Sequence, residues 1–367
     1  MNQQPAFCTI ITQNYLPYAR VLMASVRQHC PDSQRHVLLA DADTPTREEA
    51  DFALHGWKTL GLQGYRVRAF VNAPGALCAM LKPTFIAWLL RHTHAPLAIY
   101  ADADSRFYHP PTALLDAAAK ASFLLTPHIV RPGLTPDSLR NEGAIARSGT
   151  YNTGLFAVRK DADGLGISDW WANCMWREMW QDQTFAWEQS WAPLIRQLYP
   201  AVWTFDDEAY NVAYWNLSQR TLSADESGRP MVRGAGPLRH FHFSFFDPRR
   251  PNLLVSHYDE EVAPPDAVTG QLLAEYAAAL QAADADRASQ LPYGFSRFRD
   301  GHPITQFHRE FFRRHILPFR DEDGDPFDSS YVCGPWRGIR SLRRAYTLPA
   351  RIERRLRGML VRFRPKS

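Results

Sequence analysis

Short apolar runs alternate with helix-length segments through the first hundred residues, and that alternation constrains the fold more than any other feature. Phe7-Cys8-Thr9-Ile10-Ile11-Thr12, His36-Val37-Leu38-Leu39-Ala40 and Leu97-Ala98-Ile99-Tyr100 have the length and composition of buried strands. Between them, 18–29 places Val21, Leu22, Ser25 and Val26 at helical spacing, and Pro31-Asp32-Ser33 punctuates its end. The stretch 46–55 reads as a short helix capped by Thr44 and followed by Gly56, and 81–91 as another helix. The pattern predicts an α/β fold: a mixed, mostly parallel sheet flanked by helices on both faces. In such sheets ligands gather at the carboxyl ends of the strands. Two of those ends carry the same tripeptide, Asp41-Ala42-Asp43 and Asp102-Ala103-Asp104.

Two carboxylates one residue apart at a strand end can meet around a single hard cation. Mg²⁺ or Mn²⁺ takes oxygen ligands and keeps places for phosphate oxygens, so Asp102 and Asp104 are candidate metal ligands. Further along, 122–126 and 155–158 read as strands, 127–146 as a polar loop over the site, 168–180 and 187–197 as helices, and 238–243 as a last strand. Pro264-Pro265 marks a boundary before an Ala-rich helix over 266–288, and a further helical stretch covers 305–315. This organises the chain as a domain over 1–258, a helical, aromatic-rich extension over 259–336 and a basic amphipathic tail over 337–367.

Composition narrows the class. The 367 residues are 45% hydrophobic and 22% charged, ordinary for a soluble protein with a sizeable core. Five cysteines, scattered and without Cys-x-x-Cys spacing, indicate neither a disulfide framework nor a zinc site and fit a reducing cytosol. Residues 1–7 lack the basic-then-apolar pattern of a signal peptide, and apolar runs such as 85–90 are too short to span a membrane. No Walker-type phosphate loop is present, and no Gly-rich N-terminal signature of sugar nucleotidyltransferases. Eleven Trp and 13% aromatic residues serve core packing or the stacking of sugar faces.

The motifs in order resemble bacterial glycosyltransferases of the GT-A fold, most closely the retaining, family-8-like group. The resemblance covers about 6–258, on domain-length expectations. It rests on residues 8–12 with Asn14-Tyr15, on Leu81-Lys82-Pro83, on 99–104, and on Tyr151-Asn152-Thr153-Gly154. It continues in Trp187-Glu188-Gln189-Ser190-Trp191, in Tyr210-Asn211-Val212-Ala213-Tyr214-Trp215-Asn216, and in 241–248. The resemblance implies a metal-dependent transfer of a sugar from a nucleotide sugar, most simply a UDP-sugar, to a glycan or lipid-linked acceptor. It implies Asp102, Asp104 and His242 as ligands of Mn²⁺ or Mg²⁺, with Ala103 between the carboxylates. It implies Lys82 as a cation on the donor sugar or pyrophosphate, Asn152 under the donor sugar, and Glu188 and Gln189 beside the anomeric carbon. Thr9 and Asn14 fall where uracil and ribose are held, and Asp41 at the neighbouring strand end. The chain departs from the group at Glu188, often Asp, at Phe245, often Gly, and at Pro248, near which a Lys cradles the leaving phosphate. Arg249 and Arg250 follow instead and are candidates for that contact.

Other readings stay open on the sequence. Asp41-Ala42-Asp43-Thr44 after a strand resembles the nucleophile loop of haloacid-dehalogenase-type phosphatases, although 324–328 matches the required acidic pair poorly. A non-catalytic carbohydrate-binding scaffold of the same fold is a third possibility. His240 lies two residues from His242 on the same strand face and competes for the ligand role.

Charge is uneven. Residues 337–367 hold eleven Lys or Arg and one acid, Glu353, for +10, so the other 336 residues carry −6. Ile352, Leu356, Met359, Leu360 and Phe363 recur at helical spacing among arginines. This pattern suits docking on an anionic membrane surface, or packing of the apolar stripe back on the protein. A nucleic-acid partner rests on this tail alone and is not expected.

Overall fold

A computed structural model describes residues 4–46, 48–133, 136–178, 188–257, 260–315 and 325–333. The basic tail 337–367, with the amphipathic pattern read there, lies outside the described residues, as does 179–187.

The strands are β1 (Ala6–Ile11), β2 (Gln34–Leu39), β3 (Ala53–Gly56), β4 (Leu97–Ala101), β5 (Ser105–Phe107), β6 (Phe123–Pro127), β7 (Tyr151–Arg159) and β8 (Val202–Thr204). Seven of them form one sheet in the order β3-β2-β1-β4-β7-β6-β8. Only β7 runs against its neighbours. This is the mixed, mostly parallel α/β sheet that the alternation predicts. Every residue of β1 and β4 is buried, as expected of central strands covered on both faces. Period-two alternation divides β1 between two cores: Phe7 and Ile11 join one, Ala6, Cys8 and Ile10 the other.

The helices that alternate with these strands are α1 (Leu16–His29), α2 (Tyr65–Val71), α3 (Pro74–His92), α4 (Thr112–Ala118), α5 (Pro136–Ser148), α6 (Ala162–Glu178) and α7 (Ala192–Leu198). Short strands β9 (Leu222–Ala224), β10 (Pro230–Val232) and β11 (Gly236–Pro237) form a small antiparallel sheet. Strand β12 (His240–His242) pairs antiparallel with β5. A final hairpin joins β13 (Val255–His257) and β14 (Glu260–Val262).

Beyond it lie α8 (Ala267–Ala282), α9 (Ala285–Ser289), α10 (Gln306–His315) and α11 (Ser329–Cys333). Asp266 caps α8, accepting from the Thr269 amide at 2.7 Å. Leu272, Leu273, Tyr276 and Leu280 of α8 complete the first core, whereas Phe295, Phe298, Phe307, Phe311, Phe312 and Phe327 complete the second around Tyr65 and Phe70. Arg309 is buried and donates to the carbonyls of Ala69, Phe70 and Asn72 at the end of α2 and to that of Phe295. A buried cation thus closes orphan carbonyls at a helix end.

The structure revises several expectations. The described residues of 46–55 form no helix; 53–56 are the edge strand β3, paired parallel with His36–Leu39. Backbone pairing with β2 overrides a weak local helical pattern there. Helix α3 starts seven residues before the expected 81, with Pro74 at its first turn and Pro83 inside it. The loop expected over 127–146 ends in α5. The Ala-rich helix breaks at Ala283–Asp284, where Asp284 takes φ +74°.

Candidate metal centre and donor site

Two chain segments deliver three side chains to one point, and a third, β7, anchors them. Strand β4 ends at Ala101, and the Asp102 amide donates to Gly154 O on β7 at 2.8 Å. The Asp104 carbonyl accepts from the Phe243 amide at 2.7 Å, and β12 places His242 opposite Ser105. One oxygen from each carboxylate and one His242 nitrogen thus lie within 4.8 Å of one another. His242 Nε2 is 3.1 Å from Asp104 Oδ1 and 3.9 Å from Asp102 Oδ2. His240, the competing histidine, packs against the Phe107 ring at 4.7 Å, and both its ring nitrogens are buried without a partner. Burial first, and the His242 ring second, push its pKa down to about 3, so it is a neutral core residue.

Lys82 is buried in α3, not a surface cation. Its ammonium lies 3.0 Å from Asp102 Oδ1, 2.6 Å from Glu188 Oε1 and 3.2 Å from Thr153 O, over the Tyr100 ring. Those three acceptors account for its three protons. Burial opposes its charge most strongly, but Asp102 and Glu188 outweigh burial and raise its pKa. Glu188 also accepts from Thr153 Oγ1 at 2.7 Å. Burial alone would raise the Glu188 pKa; Lys82 and Thr153 reverse that, and the carboxylate is ionised. Asp104 behaves likewise, with His242 overcoming burial to lower its pKa.

These charges do not balance. Asp102, Asp104 and Glu188 face Lys82, which leaves two negative charges while the His242 ring is neutral and one once it is protonated; burial opposes the ring's charge, but Asp104 outweighs burial and raises its pKa. A divalent cation would supply that deficit, and two carboxylates with one imidazole suit Mn²⁺ as well as Mg²⁺. The backbone makes room for it. A Cβ on Gly154 would stand 2.6 Å from His242 Cε1 and 2.7 Å from Asp102 Oδ2 and Asn152 Oδ1. Only glycine permits that convergence.

The remaining sequence candidates distribute around this centre. Ala103 is buried between the two aspartates. Asn152 is buried beside the cluster, accepting from Gly154 N at 3.0 Å and Asn211 Nδ2 at 3.1 Å. Gln189 follows Glu188 in the same helical turn and is half-buried. Thr9 is fully buried in β1, its hydroxyl without a partner. Asn14 accepts from Thr12 Oγ1 at 2.6 Å in the loop after β1. Arg249 is exposed and bound bidentately to Asp247 at 2.9 and 2.7 Å, so it is not already aimed at the cluster.

Asp41 differs from what a nucleophile requires. One carboxylate oxygen accepts from Gln13 N and the other from Gly294 N, each at 2.9 Å. Asp43 pairs with Lys58 at 2.7 Å. The phosphatase reading fails on this geometry, because both oxygens of the would-be nucleophile are occupied by backbone amides. Asp41 joins the loop before α1 to the extension instead, and Gly294 approaches so closely that a Cβ there would lie 2.1 Å from Asp41 O.

Three residues named in the sequence had no role assigned to them there. Tyr15 is 44% exposed and stacked on Tyr18 with centroids 4.6 Å apart. Burial first and the Asp104 charge second raise its pKa to about 12. Phe245 is 45% exposed and sits at φ +62°, the left-handed region. That conformation accounts for the glycine expected at this position from the resemblance. Asn211, at φ +50°, links Asn152 to His242. Its position within a quoted motif was a signal without an assigned role.

No family model matches the chain. It is 25% identical over 254 residues, 65% of this chain and 80% of the relative, to an uncharacterized protein, YfnF, of Bacillus subtilis (strain 168). Among solved structures it is similar to galactosyltransferase LgtC in complex with donor and acceptor sugar analogs, at 15% identity and TM-score 0.43, covering 75% of this chain and 95% of that one. It is also similar to mouse xyloside xylosyltransferase 1, at 11% identity and TM-score 0.39, covering 66% of this chain and 97% of that one.

Proposed function

We propose that this protein is a metal-dependent retaining glycosyltransferase that moves a sugar from a nucleotide sugar, a UDP-sugar first, to a glycan or lipid-linked acceptor in surface polysaccharide synthesis. The observation that carries the reading is the convergence of Asp102, Asp104 and His242 beside the buried Lys82–Glu188 pair, a cluster with more carboxylate than cation. The donor, acceptor and pathway rest on the resemblance of the motifs.

Bound there, Mn²⁺ or Mg²⁺ would supply Lewis-acid stabilisation of the diphosphate that leaves. The chain's own residues do the rest. Lys82 spends its protons on Asp102, Glu188 and the Thr153 carbonyl, so it orders the two carboxylates rather than reaching for phosphate. Glu188, ionised and immobilised, presents negative charge where an oxocarbenium-like centre develops, with Gln189 beside it. Asn152 holds the donor sugar. Asn14 lines the nucleoside end, Thr9 supports it from within β1, and Asp41 acts there by fixing the Gln13 amide. Arg249 turns from Asp247 to the leaving phosphate. A scan of nucleoside diphosphate release across nucleotide sugars, with Mn²⁺ and a panel of acceptors, tests the reading. Metal-dependent release from one donor class is expected; release from none contradicts an active enzyme and favours a carbohydrate-binding scaffold.

The basic segment 337–367 is proposed to hold the enzyme on the anionic inner face of the cytoplasmic membrane, beside a lipid-linked acceptor. Its arginines contribute about 1 kcal/mol each near such a surface. Among the described residues no helix is long and apolar enough to cross a membrane. Cosedimentation with anionic vesicles at low salt should weaken in a chain ending at Trp336. Equal binding of the two forms contradicts this role.

A further inference from the structure

A buried chain of amides runs from Gly154 to the His242 ring, and its polarity follows from one backbone group. Gly154 N–H donates to Asn152 Oδ1 at 3.0 Å. A backbone N–H only donates, so the oxygen end of the Asn152 amide is fixed. Asn211 lies 3.1 Å from that same oxygen and must present its Nδ2 there. Its Oδ1 then faces His242 Nδ1 at 3.3 Å. That oxygen carries no hydrogen, so Nδ1 carries the ring proton. In the neutral ring the lone pair of Nε2 then faces Asp104 Oδ1, 3.1 Å away, a contact that is repulsive unless a second proton or a metal ion lies between them.

The protein holds Asn211 in place at a cost. The residue is fully buried at φ +50°, a conformation asparagine tolerates better than most residues. Its own carbonyl accepts from Asn216 Nδ2 at 3.0 Å, and the preceding Tyr210 carbonyl accepts from Arg220 Nη1. Val212, next in the chain, pairs both ways with β12: its amide donates to His240 O at 3.1 Å, and its carbonyl accepts from His242 N at 2.8 Å. Backbone and side chain of 210–212 therefore fix the ring from two directions.

We propose that Asn211 is a positioning residue: it sets His242 with its proton on Nδ1 and Nε2 toward the aspartates, and couples that setting to Asn152 in the donor site. Its consequence for metal binding rests on the proposed function; the placement of the ring proton does not. Outer partners of this kind govern ligand orientation and basicity.

The test uses the full chain. Asn211→Gly removes both side-chain bonds and suits the left-handed backbone, so the fold should persist. Asn211→Asp keeps an acceptor for Nδ1 and removes the donor to Asn152. Free Mn²⁺, counted by electron paramagnetic resonance during titration with manganese chloride, should show binding weakened roughly 10- to 100-fold by Asn211→Gly and restored by Asn211→Asp. Long-range ¹H–¹⁵N spectra with ¹⁵N-histidine and Mg²⁺, assigned by loss of the signal in His242→Gln, should show the neutral ring protonated at Nδ1. Protonation at Nε2, or unchanged Mn²⁺ affinity in Asn211→Gly, overturns the proposal. A native protein that binds no Mn²⁺ overturns the metal reading instead, and the ring spectrum still decides the role of Asn211.

Discussion

The same tripeptide, Asp-Ala-Asp, ends β2 and follows β4, and the two copies meet opposite fates. At 41–43 the first carboxylate is consumed by the amides of Gln13 and Gly294 and the second by Lys58 on the surface. At 102–104 the side chains keep 26% and 28% of their surface open and share His242. Neutral amide donors close Asp41 and a lysine closes Asp43, so the first site has no excess of carboxylate. The second gathers more carboxylate than cation. What a motif does is thus set by which donors the fold brings to it, from Lys58, near in sequence to Asp43, to Gly294, 253 positions from Asp41.

The largest predicted effects break this asymmetry at the open site. Asp104→Ala should lower turnover roughly a thousandfold, as loss of a group that stabilises transition-state charge does, while Asp43→Ala leaves turnover near native. Gly154→Ala should be as damaging as Asp104→Ala, because its methyl group would occupy the point where His242, Asp102 and Asn152 meet. Steady-state rates of donor turnover check both. Near-native rates in Gly154→Ala would show that the convergence is not needed.

The closed site should fail differently. Asp41→Ala orphans two amide donors and cuts the tie between the loop before α1 and the extension, for a loss of about 2–3 kcal/mol in denaturant unfolding. Asp43→Ala, whose Lys58 pair is solvent-exposed, should cost less than about 1 kcal/mol. Equal losses would erase the distinction between the two copies.

Much of this was legible in the sequence, for identifiable reasons. The buried runs of β1, β2 and β4 and the Asp pairs at their carboxyl ends depend on local pattern alone. The choice of His242 followed from the order of motifs, and strand pairing opposite Ser105 supports it. Strand β3 was not legible, since four residues at a sheet edge carry little periodicity of their own. Nor was the role of Asp41, which is defined by Gly294, 253 residues later. Nor were the partners of Lys82, Asp102 and Glu188, legible, because burial and ion pairing are tertiary properties.

The smallest effect concerns strain at the mouth of the open site. Phe245 is exposed in a left-handed backbone conformation, which costs about 1 kcal/mol for a residue with a Cβ. Phe245→Gly should therefore raise stability by about that amount in thermal unfolding. A destabilised variant would mean that the Phe245 ring, 5.9 Å from Tyr214, contributes more packing than its exposure suggests.

The central claim is that only the second Asp-Ala-Asp holds a metal. Mn²⁺ binding, measured calorimetrically on native protein, Asp43→Ala and Asp102→Ala, tests it directly. The account predicts a single Mn²⁺ bound by the native and Asp43→Ala chains and none by Asp102→Ala. Native-like binding by Asp102→Ala, or its loss in Asp43→Ala, would contradict it.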